Sequence, residues 1–328
     1  MSAVRAVLCI AEFDDYHNAH VAQQCRALTR LGARVATFDL SARPSLLERF
    51  RGGDLARRLE RAIDEHTPDL VLVPGGESLH EDLVDRLRGR ARARWINWLP
   101  NDLRTVTEAT ALARPYDHIY AIGTDVAAEM AERLGRTVDV LAFAADPSVY
   151  RPLRTRDQYR ANVVFAGAAT PRRERLLSGL VEFGLALWGP GWRNTSLRDY
   201  CRGEAPSTSE YINAYGGATV AINIHHVAVE NDPGEASCNQ RLFELAAMGI
   251  AQVVDERGDL PRYFEAGQDV AVFGDAEGLR EIVRDLLEDP SEVERLGAAA
   301  RLRLLEDHTY MHRLRQLLLD QPRPIISP

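Results

Sequence analysis

The sequence predicts an α/β protein built from two doubly wound domains in tandem. Three observations carry the prediction. Short apolar runs of strand length alternate with longer stretches of helical period along most of the chain. The alternation breaks once, at Asp146-Pro147-Ser148-Val149-Tyr150-Arg151-Pro152, where two prolines and polar neighbours read as a linker. At 328 residues and 45% hydrophobic, the chain can bury two ordinary cores.

In the first half, Arg5 to Ile10 is a short apolar strand. Val21, Cys25, Leu28 and Leu31 mark one face of a helix that Gly32 closes, and Val35 to Phe38 completes a βαβ unit. Leu46 to Ile63 reads as helix interrupted at Gly52-Gly53, Leu70 to Val73 as strand, Leu79 to Leu87 as helix and Trp95 to Trp98 as strand. His118 to Ala121, a helix ending at Leu134, and Val138 to Ala142 finish a parallel sheet wrapped by helices.

The second alternating set begins at Val163 to Phe165 and runs through Leu185 to Trp188, Val220 to Ile224, Ile250 to Val254 and Val270 to Phe273. Ala276 to Leu287, Val293 to Leu305 and His308 to Leu319 are helices. The central stretch of this half is Asn239 to Gly249. Leu242, Leu245, Ala246 and Gly249 recur at three- and four-residue spacing there, so one helix face is buried and Gly249 ends the helix. In such sheets ligands gather beyond the carboxyl ends of the strands, and the cleft between two such domains is the expected site.

Composition removes several chemistries. There is no lysine, so all 40 basic residues are arginine; a Schiff-base lysine and a Walker phosphate lysine are both excluded. Phosphate must be held by arginine, backbone amides or helix ends. A net charge of −8 argues against general nucleic-acid binding. Cys9, Cys25, Cys201 and Cys238 are scattered, as expected of free thiols in a reducing compartment. No signal peptide or stretch approaching about 18 apolar residues is present, so a soluble cytoplasmic protein without a transmembrane segment is expected.

The candidate chemistry lies at strand ends. Neither Ile10-Ala11-Glu12-Phe13 nor Phe165-Ala166-Gly167-Ala168-Ala169-Thr170 fits the dinucleotide fingerprint, which argues against an NAD enzyme. Gly167 follows a strand, Thr170-Pro171 sets up a helix start, and Arg172 and Arg173 fall in its first turn; amides and arginines there suit a diphosphate, solvated arginines being the competing reading. Arg241 and Glu244 are neighbours on the central helix. A carboxylate there can accept two hydrogen bonds from a ribose diol beside a phosphate-neutralising arginine, and a plain surface ion pair is the alternative.

Trp188-Gly189-Pro190-Gly191-Trp192 ends a strand in a tight turn, with aromatics that flank a ligand or cap the core. Adjacent His225 and His226 point apart and make a poor metal pair; each is a sugar or phosphate contact or a loop hydrogen-bond partner. Asp102, in the loop after Trp98, is a polar contact or a helix N-cap. Pro74-Gly75-Gly76-Glu77 is similar to an amidotransferase glycine loop but has no nucleophilic cysteine beside it. Arg86, Arg88, Arg90, Arg92 and Arg94 form a basic run, either solvated or facing an anion.

Taken together, the motifs resemble those of GT-B glycosyltransferases of the group 1 type, specifically the spore-maturation CgeB-like family. The resemblance covers roughly Ala161 to Leu319. It rests on Val-Val-Phe-Ala-Gly followed by Arg172-Arg173-Glu174, on Trp-Gly-Pro-Gly-Trp at 188 to 192, and on Ala-Ile-Asn-Ile-His at 221 to 225. Gln-Arg-Leu-Phe-Glu at 240 to 244, Tyr263-Phe264-Glu265-Ala266-Gly267 and His308-Thr309-Tyr310-Met311-His312-Arg313 follow in order.

The resemblance implies a GT-B fold of two Rossmann-like domains facing a cleft. Residues 1–150 would bind the acceptor, 151–307 the nucleotide-sugar donor, and 308–328 would form a helix packing back on the N-terminal domain. It implies transfer of a sugar from a nucleoside-diphosphate sugar to an unidentified acceptor, retaining and without a metal or other cofactor. An epimerase on the same fold and a non-catalytic nucleotide-sugar-binding protein are the alternatives. Glu244 would hold the ribose, and Arg172 or Arg173, with Arg241, the diphosphate. Gly167, Trp188, Gly203, His225 and Asn239 complete the expected donor set, and Asp102 and His226 are the candidate catalytic contacts. Group 1 enzymes pair two glutamates eight positions apart; here Ala236 holds the earlier position, with Glu235 one step away.

Overall fold

The computed structural model describes residues 6–13, 19–42, 54–90, 92–99, 106–205, 207–226 and 236–319. Two compact units emerge. The first comprises Met1–Ala142, Ala228–Ser237 and Tyr310–Pro328, and the second Phe143–Val227 and Cys238–Thr309. The division falls ahead of the Asp146–Pro152 stretch because that stretch folds onto the second unit, where the Tyr150 ring meets Tyr211 edge-on at 6.3 Å.

The first unit holds a parallel sheet of β1 (Ala6–Ala11), β2 (Arg34–Asp39), β3 (Leu70–Pro74), β4 (Arg94–Leu99), β5 (His118–Ala121) and β6 (Asp139–Val140), in the order β2-β1-β3-β4-β5-β6. Its central strands are buried on both faces, which is why they read as unbroken apolar runs. Side chains alternate: Leu8 and Ile10 face the larger core, while Cys9 and Ala11 face Val21 of helix α1 (Ala19–Arg30). Helix α2 (Leu55–His66) starts where Asp54 accepts the Arg57 N–H at 2.8 Å. The helix expected over Leu46 to Ile63 is thus observed from Leu55 on, its earlier part lying outside the described residues.

Helices α3 (Glu81–Arg90), α4 (Val106–Ala113) and α5 (Thr124–Leu134) complete the unit's framework. The glycine pair after β3 serves the backbone: Gly75 and Gly76 take φ of 74° and 94°, and buried Asn97 donates to Val73 O and Gly75 O at 2.9 and 2.8 Å. The arginine run is largely taken up by surface ion pairs, Arg86 with Glu60, Arg88 with Asp117 and Arg90 with Asp64. Asp102 lies outside the described residues. The helix at Tyr310–Leu318, α11 below, groups with this unit and packs on α1; its Arg313 donates to Ala142 O at 3.2 Å.

The second unit holds β7 (Ala161–Ala166), β8 (Leu185–Trp188), β9 (Cys201–Gly203), β10 (Ala218–Asn223), β11 (Gln252–Asp255) and β12 (Ala271–Phe273), all parallel, in the order β12-β11-β10-β7-β8-β9. Its helices are α6 (Pro171–Ser178), α7 (Thr208–Gly216), α8 (Gln240–Met248), α9 (Ala276–Glu288) and α10 (Pro290–Asp307), after which α11 (Tyr310–Leu318) returns to the first unit. Among the described residues no helix is long and apolar enough to cross a membrane.

Helix α8 ends as its sequence demands: Gly249 takes φ 69° and caps the helix in the left-handed region. Helix α10 packs closely against this cap, so a Cβ at Gly297 would stand 2.3 Å from Gly249 O. Neither backbone can yield without disturbing the cap. Gly297→Ala is therefore expected to destabilise the protein by about 1–3 kcal/mol, read from urea unfolding; a midpoint equal to wild type would show that α10 slides freely.

Candidate functional site

Sheets of this kind collect their loops at the carboxyl ends of the strands, and in the second unit those ends are built on backbone contacts. Gly167, just past β7, donates its N–H to Trp188 O at 2.8 Å and accepts the Trp192 indole N–H at 2.8 Å. Gly189, past β8, has φ 126°, and a Cβ there would lie 2.3 Å from Gly167 O. Its N–H reaches Gly203 O at 2.9 Å. Three strand ends are thus joined by glycine backbones. Trp188 is buried in this assembly, stacked 6.4 Å from Tyr159 with the Arg202 guanidinium 5.6 Å from its ring. Of the expected aromatics, Trp188 and Trp192 both belong to the core.

Helix α6 begins as the Thr170-Pro171 pair predicts, with the Thr170 hydroxyl accepting the Arg173 N–H at 3.2 Å. Its two arginines part company. Arg173 is buried and donates to Ala168 O and Ile224 O, both at 2.9 Å. Burial lowers its pKa to about 10. It ties the start of α6 to the end of β10. Arg172 remains 37% exposed and pairs with Asp255 at 3.0 Å. Of the two candidates, Arg172 keeps a guanidinium partly open to solvent.

The start of α8 is tied to β10 and β11 by a buried polar network. Asn239 caps the helix by accepting the Leu242 N–H at 3.1 Å, and it exchanges amide bonds with Asn223 at 2.8 and 3.2 Å. His225 Nε2 accepts the Asn239 backbone N–H at 2.9 Å, while Nδ1 lies 2.6 Å from Asp255 Oδ1. An acceptor at Nε2 leaves the proton on Nδ1, so the imidazole is neutral in one tautomer. Burial lowers the His225 pKa, outweighing the pull of Asp255. Both ring nitrogens are occupied inside the protein, so His225 acts as a loop partner. His226 is exposed, and residues 227–235 after it lie outside the described set.

On α8 the expected pair is present but sunk into the unit. Glu244 is only 6% exposed and accepts from Gln240 at 2.6 Å. Burial raises its pKa against the opposing pull of the Tyr150 and Tyr211 hydroxyls and Arg241. Burial works against charge on Arg241 too, yet Tyr215, Tyr211 and Glu244 hold its pKa above the usual arginine value. Arg241 and Arg173 each lie 5.2 Å from the Phe165 ring, and Arg241 Nε has no hydrogen-bond partner among the described residues. The surface ion pair is thereby replaced by a buried cluster.

Sequence reasoning missed Asp255 and Arg257. Asp255 ends β11, and its Oδ2 also receives Arg257 at 3.1 Å. Burial alone would raise its pKa, but His225 and Arg257 reverse that and hold the carboxyl well below the usual range. The only sequence signal was an acidic residue just past an apolar strand. Among the described residues Arg172, Arg173, Arg241 and Arg257 thus outnumber Asp255 and Glu244, and of the two carboxyl groups only Asp255 has its charge favoured. Uncompensated buried charge is costly, and an arriving anion relieves it.

Residues 172–319, which contain Arg172, Arg241, Glu244 and Asp255, match a family model described as Glycosyl transferase-like. No curated protein matches the chain in sequence. Several solved structures share its fold across nearly the whole length. Sucrose-phosphate synthase from Thermosynechococcus elongatus is 14% identical with a TM-score of 0.66, covering 95% of this chain and 97% of that one. A glycosyltransferase from Rickettsia africae is 11% identical with a TM-score of 0.66, over 97% and 99% of the two chains. Anabaena HepE, solved with UDP-glucose, is 13% identical with a TM-score of 0.65, over 95% and 98%. The fold is GT-B, and residues 172–319 are similar to the glycosyl transferase-like model.

The His225 network sets a pH dependence. Because the folded pKa lies below the ordinary value of 6.5, the unfolded chain binds more protons in the window beneath it, and stability falls as pH drops from 6.5 towards the folded pKa. Glu244 has the opposite sign, its raised pKa favouring the folded state below 4.5. His225→Gln should flatten the slope of unfolding free energy between about pH 7 and about pH 5.5. An unchanged slope in urea titrations across that range would show that His225 does not titrate there.

Proposed function

We propose that this glycosyltransferase-type enzyme takes its sugar from a nucleoside-diphosphate sugar bound at the carboxyl edge of the second unit. One observation carries the reading: among the described residues guanidinium groups outnumber carboxyl groups at that edge, beside the N-termini of α6 and α8. A diphosphate supplies the missing negative charge. Arg172 grips it from the start of α6, supported by Arg241, whose Nε is buried and unpartnered among the described residues. Arg173 supports the loop from below, through its bonds to Ala168 O and Ile224 O.

Glu244 receives the ribose diol. An ionised carboxylate accepts from both hydroxyls at once; burial raises the Glu244 pKa, and the Tyr150 and Tyr211 hydroxyls and Arg241 act against that towards the ionised form. The first unit takes the acceptor. Transfer is retaining: the acceptor oxygen bonds to the anomeric carbon as the bond to the β-phosphate breaks, and a phosphate oxygen carries away the acceptor's proton. Arginines and helix N-termini meet the charge on the departing diphosphate, so the reaction proceeds without a metal ion.

Calorimetry with UDP, GDP and TDP tests the donor reading. Glu244→Ala should weaken the preferred nucleotide by roughly ten- to a hundredfold, equivalent to about 1.5–3 kcal/mol; unchanged affinity would remove the ribose assignment. Arg172→Ala should weaken the nucleoside diphosphate far more than the nucleoside, and equal losses would count against a phosphate role. Turnover of the donor should survive excess EDTA. Loss of turnover, restored by a divalent cation, would overturn the metal-free mechanism.

A further inference from the structure

We propose that Asp255 is a positioning residue, whose carboxylate sets both the guanidinium of Arg172 and the N-terminus of α8 for the diphosphate. The inference rests on the reading of Arg172 as a phosphate contact and goes beyond it, because Asp255 itself touches no ligand.

Asp255 is 3% exposed at the end of β11. Its two oxygens divide the work evenly. Oδ1 accepts the His225 backbone N–H at 3.0 Å and the His225 Nδ1–H at 2.6 Å. Oδ2 accepts Arg172 at 3.0 Å and Arg257 at 3.1 Å. Four donors saturate an ionised carboxylate, leaving none of its acceptor capacity for a ligand. What it controls is the direction of its partners.

Through Oδ2 it holds one edge of the Arg172 guanidinium. A second contact reaches His225 O at 3.4 Å, and the side chain stays 37% exposed. An arginine at an exposed helix start otherwise samples many rotamers, and fixing it beforehand removes that cost from ligand binding. Through Oδ1 it orients the imidazole, whose Nε2 accepts the backbone N–H of the α8 cap residue Asn239 at 2.9 Å. One carboxylate therefore fixes a cation on α6 and the cap residue of α8. Arg257, 7% exposed, fills the remaining lone pair from the buried side.

A purely structural Asp255 would affect all ligands alike. A positioning Asp255 affects the part of the ligand that carries phosphate. The test measures affinities for UDP and uridine, or for whichever of GDP and TDP binds more tightly together with its nucleoside. These are compared in the wild type, Asp255→Asn and Arg172→Ala, with folding checked by circular dichroism. Asp255→Asn keeps the shape but presents an N–H₂ where Arg172 and Arg257 donate. It should weaken the diphosphate by about tenfold or more while nucleoside affinity stays within about twofold.

If Arg172→Ala shows the selective loss and Asp255→Asn does not, the positioning role is overturned and the donor reading stands. If neither variant loses affinity selectively, the donor reading itself fails. Equal losses for diphosphate and nucleoside in Asp255→Asn would make the residue structural. Should Asp255→Asn not fold, Asp255→Glu takes its place: the charge remains but its reach changes by one methylene, and the same selective loss is required.

Discussion

The second unit depends on a histidine that must stay neutral. His225 receives a backbone N–H at Nε2 and gives its own proton to Asp255 from Nδ1, so the end of β10, the end of β11 and the start of α8 share one ring. Each contact constrains the others. A charged imidazole would have two donors where the protein offers one acceptor and one donor, and Asn239 would lose its partner. The paired amides of Asn223 and Asn239 continue the network inward, and Gln252 extends it by donating to Leu242 O at 2.9 Å. Buried polar chains of this sort specify one arrangement because every member is satisfied together.

Around that ring the protein gathers positive charge. Arg173 and Arg241 lie over Phe165, and Arg172 and Arg257 hold Asp255. Their tasks differ with their partners. Arg173 is consumed by two backbone carbonyls and braces the fold, whereas Arg172 leaves part of its guanidinium in solvent. With no lysine in the chain, the planar, multidentate arginine serves both purposes. Packing against the glycines permits the crowding: Gly167 and Gly189 bring two strand ends closer than any side chain would allow.

Much of this architecture was legible in the residues. The apolar runs marked eleven of the twelve strands among the described residues because the central strands of each parallel sheet are buried on both faces, and the spacing of Leu242, Leu245, Ala246 and Gly249 located α8 and its cap. Three elements escaped. Strand β9 is only three residues, Cys201–Gly203, too short for an alternation to show. Helix α7 opens on polar Thr208-Ser209 and closes at Gly216, which reads as loop until Ser207 caps it. Helix α4, Val106–Ala113, is only eight residues long and mixes threonine with alanine, so no apolar stripe stands out.

The candidate site divides in the same way. Sequence alone determined the α/β class, the two-part organisation, the helix starts at Thr170 and Asn239, and the gathering of arginine and glutamate near them, since these follow from local period, capping and composition. It did not distinguish Arg172 from Arg173, place His225 between two partners, or reveal Asp255. Those outcomes depend on which neighbours come within hydrogen-bonding reach from strands thirty or more residues away, and on how far burial suppresses water. Chain order records neither, so only the packed tertiary structure decided them.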